Sequence, residues 1–179
     1  MILLIDKIKE KIFKIYREKI FLKKVNGTKK NLQIIGGKVN LNASNVKIGN
    51  NVTIYQNVMF WGDGEIIIGN NVDIGKDTII FAKKRVYIGN NTSIAAHCYI
   101  IDSNHGIKKD KLIQEQKLEY DDNGIWIGND VWIAAGCKVI KGANIEDGCV
   151  IGAMSLVNSR ISRNSIAFGI PAKVIKKRK

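Results

Sequence analysis

Two histidines are the candidates for proton transfer in this 179-residue sequence. His105 stands three residues after a carboxylate in Ile-Ile-Asp-Ser-Asn-His-Gly. An imidazole at its ordinary pKa is largely neutral at pH 7 and can take a proton from a hydroxyl. Asp102 at that spacing could hold one ring nitrogen and steady the imidazolium while the other nitrogen faces a substrate. The same spacing equally describes a turn histidine capped by its own loop. His97 falls at the fourth position of Ile-Ala-Ala-His-Cys-Tyr, where a side chain is expected to face outward, toward solvent or another subunit. Cys98, Cys137 and Cys149 show no close spacing, so no metal site is expected from these ligand types.

These residues are positioned by a repeat. From residue 127 an aliphatic recurs at Ile127, Ile133, Val139, Ile145, Ile151 and Val157, a period of six. Four residues further on the side chain is small or β-branched: Val131, Cys137, Ala143, Cys149, Ser155. Upstream the same phase runs through Ile48, Ile54 and Phe60, then Ile68, Ile74 and Ile80, then Ile88, Ile94 and Ile100. Neither the 3.6 period of a helix nor strand alternation gives a six. A hexad that makes one short strand and one turn does, with three hexads closing a triangular coil and coils stacking about 4.8 Å apart. Gly-Asn and Asn-Asn pairs supply the tight corners. The cysteines occupy the small inward position, which reads as packing rather than reactivity. The repeat is interrupted by a short corner bulge at residues 61–65 and by a long polar loop at 102–125, a length usually reserved for function.

The formal charge of +13 sits at the ends. Residues 1–30 hold ten Lys/Arg against three acids, residues 171–179 five against none, and the rest fourteen against thirteen. A neutral body argues against nucleic-acid binding, which wants a basic folded face. Residues 2–24 carry Ile5, Ile8, Ile12, Ile15 and Ile20 among lysines, the pattern of a basic amphipathic helix. It could cap the open end of the coil or rest on an anionic membrane. The short apolar start is expected to be neither a signal peptide nor a span, and with free thiols a cytoplasmic location is expected, with peripheral contact at the inner membrane face allowed by the helix.

The repeats, the stretch IIDSNHG, the segment IGNDVWIAAGCKVIKGANIEDGCVIGAMSLV and the terminal NSIAFGIPAKVIK together resemble the hexapeptide-repeat acyltransferases, most nearly sugar and polysaccharide O-acetyltransferases of the galactoside and maltose type. The resemblance implies an all-β solenoid, a left-handed parallel β-helix over residues 31–179 that carries the 102–125 loop and the basic tail; residues 1–30, the basic amphipathic helix read as a cap or membrane-contact segment, stand where maltose-type relatives have a short N-terminal domain. It implies acetyl-CoA as co-substrate, a homotrimer with sites between neighbours, and a sugar or glycan acceptor in surface-polysaccharide synthesis. It casts His105 as general base, with Asp102 its orienter. Trp132 becomes a wall for the pantetheine arm, with backbone at Ala135 and Ala153 and the side chain of Asn158 alongside. Lys173 and Lys176 fall near the 3′-phosphoadenosine end, and a +5 tail suits several phosphate charges. The sequence departs from many relatives at Asn158-Ser159-Arg160, where those read Thr-Lys-Asp. N-acetylation of an aminated nucleotide sugar is an alternative on the same coil, and a non-catalytic scaffold is another.

Overall fold

A computed structural model describes the backbone of residues 2–179 and the side chains of residues 7–179; Ile5 therefore lies outside the described side chains. The chain is a left-handed parallel β-helix of about 7 turns preceded by one helix. All fifteen positions of the hexad phase, fourteen aliphatic residues and Phe60, are buried, none above 2% exposure. The small positions four residues on, including Thr78, Thr92 and the three cysteines, are buried with them. Burial pushes the Cys149 thiol above its ordinary value, and its Sγ donates to the Ser162 carbonyl at 3.2 Å. A neutral thiol used as a small hydrophobe fits that setting.

Three faces follow from the strand ladders. The first stacks Thr53–Tyr55, Asp73–Ile74, Ser93–Ile94, Trp132–Ile133, Val150–Ile151 and Ser165–Gly169. The second stacks Met59–Trp61, Ile79–Phe81, Tyr99–Ile101, Lys138–Ile140 and Leu156–Val157. The third carries Glu65–Ile68, Arg85–Ile88, Ile125–Ile127, Asn144–Ile145 and Arg160–Ile161. The expected bulge at 61–65 is a bend inside one continuous strand, Met59–Ile68, that turns from the second face to the third at Gly62. A Cβ there would meet the Ala82 carbonyl oxygen at 2.1 Å, so only glycine fits.

Corners repeat as strictly as ladders. Between the first and second faces the turning residues are Asn57, Asp77, His97, Gly136 and Met154, all with positive φ. Each donates its N–H to the coil before: Asp77 to Gln56, His97 to Lys76, Gly136 to Ala96 and Met154 to Ala135. Before the first face an asparagine ladder runs from Asn31 through Asn51 and Asn71 to Asn91, side chain to side chain at 2.8–2.9 Å. Asn, Asp and His tolerate the left-handed backbone better than other side chains and glycine adopts it freely, which explains every occupant of these columns but Met154.

The helix α1 spans Ile2–Lys24 as its pattern predicts, but its isoleucine stripe does not cover the coil. Phe21 and Val25 do, Phe21 lying 6.1 Å from Phe60 between ring centroids. Glu18 Oε1 accepts the Ile34 N–H at 3.1 Å, and Lys29 Nζ closes the helix by donating to the Leu22 and Val25 carbonyls. At the other end the basic tail is ordered: Ala172–Lys177 runs antiparallel to Ser165–Gly169. Lys177 donates to Ser162, Arg163 and Ser165, and Arg178 to Asp130 at 2.9 Å.

Candidate active site

The long loop is not structureless. Its first residues, Ser103–His105, pair antiparallel with Leu118–Tyr120 to make a two-stranded arm, with His105 opposite Leu118. Gln116 pins the arm's far end, accepting the Lys108 N–H at 2.8 Å and donating to the Lys108 and Lys111 carbonyls. His105 is exposed at the arm's edge. The periodicity missed this hairpin because its strands are too short to show alternation.

Asp102 sits at the root of the arm and is 1% exposed. Its Oδ1 accepts the Lys83 N–H at 2.7 Å; its Oδ2 accepts those of Lys84 at 2.7 Å and Arg85 at 2.8 Å. The carboxylate thus fastens the arm to the 83–85 corner, and no hydrogen bond joins it to His105 among the described residues. The histidine beside a carboxylate is His97, whose Nδ1 lies 3.8 Å from Asp77 Oδ2. Asp77 Oδ1 in turn accepts from Asn57 Nδ2 at 3.0 Å. His97 faces outward, 60% exposed in its side chain, over a depression of about 470 Å³ lined by Trp61, Tyr99 and Lys138 among others.

Five of the six positions expected to hold a cofactor fall along one edge. On the first face Trp132 pairs with Val150, Val150 with Ile166, and Ile166 with Lys176, an outward row ending at a lysine. Trp132 is 54% exposed. Ala135 and Ala153 are exposed at the corner beside that row, linked by the Met154 N–H to Ala135 carbonyl bond. Lys173 is also exposed, paired with the exposed Phe168. Asn158 is not on this edge. It stacks over Gly142 at the corner between the second and third faces, the corner from which the His105 arm leaves two coils before Asn158. One chain therefore places His105 and the Trp132 edge on different corners of the triangle.

Residues 124–159 match the bacterial transferase hexapeptide family, described as six repeats. The match covers the last coils, about a fifth of the chain, and the coil fold around it is of the same kind. Over 90 residues the sequence is 34% identical to the Escherichia coli K12 protein WbbJ, named for lipopolysaccharide biosynthesis O-acetyl transfer, covering 47% of this chain and 46% of that one. The chain thus matches less than half the length of this curated relative. Among solved structures, a maltose O-acetyltransferase from Clostridium difficile 630 superposes with TM-score 0.62 and 27% identity over 91% of this chain and 75% of its own. The N-acyltransferase AntD from Bacillus cereus, in complex with dTDP-4-amino-4,6-dideoxyglucose and coenzyme A, superposes with TM-score 0.76 over 90% and 89% at 22% identity, a likeness of fold.

Proposed function

We propose that this protein transfers an acetyl group from acetyl-CoA to a sugar hydroxyl, with His105 as general base. The observation that carries the reading is the outward edge from Trp132 past Ala135 and Ala153 to the Lys173–Lys176 strand. It is open, straight and bordered by an aromatic ring, with cations at one end: the shape and charge order of an extended thiol arm ending in phosphates. Lys173 and Lys176 are unengaged by hydrogen bonds among the described residues, unlike Lys177 and Arg178, and so remain available. Asn158 serves this cofactor only if it comes from a different copy than Trp132.

The separation of His105 from the Trp132 edge supports an assembly of copies, a trimer in the proposed form, in which one chain's arm reaches its neighbour's edge. There the neutral imidazole removes the proton of the acceptor hydroxyl as its oxygen attacks the thioester carbonyl carbon. The tetrahedral oxyanion collapses by breaking the carbon–sulfur bond, and the imidazolium returns the proton to the departing thiolate. Asp102 acts as a positioning residue, since its oxygens hold the 83–85 backbone that braces the arm.

WbbJ supports a glycan acceptor in surface-polysaccharide synthesis. AntD supports a second reading, acylation of an amino group on a nucleotide-linked sugar, which needs the same base and donor. The test is release of free thiol from acetyl-CoA across a panel of sugars, glycans and nucleotide-linked amino sugars. An ester product supports the first reading and an amide the second. No thiol release above hydrolysis with any acceptor leaves the coil a scaffold.

A further inference from the structure

The helix α1 shows water far more apolar surface than its fold requires. Ile8, Ile12, Phe13, Ile15, Tyr16 and Ile20 are each 40–62% exposed. At 100° per residue they span one arc of about 160°, which Lys9, Lys19 and Lys23 share. Phe21, the residue that grips the coil, lies outside that arc; of the six, Tyr16 and Ile20 line the depression between helix and coil, while Ile8, Ile12, Phe13 and Ile15 are left exposed beside it.

We propose that this face is a foot that seats the protein on an anionic bilayer surface. Charge chooses the occupant. The helix carries eight Lys/Arg against three acids, and a second copy laid on the same face would bring the same excess against it. An anionic headgroup layer brings the complement, and long lysine stems among apolar side chains can reach the headgroups while the apolar groups enter the interface. No helix among the described residues is long and apolar enough to cross a membrane, so the contact lies in the interface plane. A second feature adjoins it. Between helix and coil is a depression of about 350 Å³, floored by Phe21, Val39 and Leu41 and rimmed by Arg17, Lys24 and Lys38. The Arg17 Nε inside it is buried without a hydrogen-bond partner. A buried N–H donor of this kind calls for an acceptor, and a phosphate oxygen with an apolar group beneath it supplies both needs of the site.

The experiment is co-flotation of the full chain with vesicles of phosphatidylcholine alone and with phosphatidylglycerol added. Binding should require the anionic lipid and weaken as salt rises. The double variant Ile12→Glu, Ile15→Glu should lose about tenfold or more of that binding. Its melting temperature should be unchanged, because both side chains are exposed. Arg17→Gln with Lys38→Gln should weaken vesicle binding, and inorganic phosphate in excess should not replace the vesicle. Absence of vesicle binding, or equal binding by the Ile12→Glu, Ile15→Glu variant, overturns the proposal. So does loss, in that variant, of a concentration-dependent association in free solution with no vesicle binding by the parent; that result gives the face to a second copy. Protection of the melt by phosphate without vesicle binding assigns the depression to a soluble anion and also overturns it.

Discussion

His97 Nδ1 lies 3.8 Å from Asp77 Oδ2, one coil apart at the same corner that carries Ala135 and Ala153. Of the two histidines, the one with a carboxylate neighbour is thus the one beside the proposed cofactor edge of its own chain, while His105 stands on an arm at the next corner. Both occupy places where proton transfer could occur, and substitution separates them. His105→Ala should lower turnover by about 10²–10⁴-fold with acetyl-CoA binding retained. His97→Asn keeps the left-handed corner and should cost less than tenfold. The opposite ranking in steady-state assays would move the base to His97.

If the site is shared between copies, two inactive variants should rescue each other. Co-expressed His105→Ala and Trp132→Ala chains would form some junctions with both native residues. Activity well above that of either variant alone is expected; no recovery in a proven mixed assembly would confine the site to one chain.

Asp102→Asn replaces an acceptor of three backbone N–H groups by one that accepts at a single oxygen. Urea unfolding should show a loss of about 1–3 kcal/mol. Turnover should fall while the Michaelis constant for acetyl-CoA holds, because the arm and not the cofactor edge is loosened. A variant as stable as the parent would remove Asp102 from this bracing role.

Replacing Lys173 and Lys176 by alanine should weaken coenzyme A more than its 3′-dephospho form, measured by competition. Equal weakening of the two would take both lysines away from that phosphate.

Two carboxylates near the last coils set an acid limit. Asp147 is held below its ordinary value by the Asn129 N–H at 2.8 Å and by Arg163 at 2.6 Å. Glu146 is lowered by the Arg163 N–H at 2.8 Å and by Arg160 at 2.6 Å. A pKa lowered in the folded state adds stability that is complete above the unfolded carboxylate range, about pH 4, and is lost as pH falls through the folded value. Melting temperature should therefore fall below about pH 4, and less steeply in Asp147→Asn than in the parent. Parallel slopes would show that these contacts persist on unfolding or contribute nothing.

The coil was legible because each hexad answers to one steric rule, and chance does not keep residues such as Ile68, Ile74 and Ile80 in phase. The helix bounds were legible for a similar reason. Which face it buries was not, since Phe21 and the isoleucine stripe look alike as apolar positions and only the docking angle separates them. The arm was hidden by strands of three residues. Asp102 was singled out by its spacing to His105, yet its partners are backbone groups 17–19 residues away that no side-chain pattern marks. His97 beside Asp77 was a matter of twenty-residue spacing, readable once the coil length is known. Only the family resemblance sets Asn158 beside the cofactor, and in one chain the coil puts it at a different corner from Trp132.

The most direct test of the central claim is the melting temperature of the intact protein with and without acetyl-CoA. At about 100 times the dissociation constant a ligand held only by the folded coil adds about 2.7 kcal/mol, a rise of a few degrees for a chain of this size. The account predicts that rise in the parent, its retention in His105→Ala, and its reduction when Lys173 and Lys176 are replaced. A well-folded parent whose melt does not move with acetyl-CoA would contradict it.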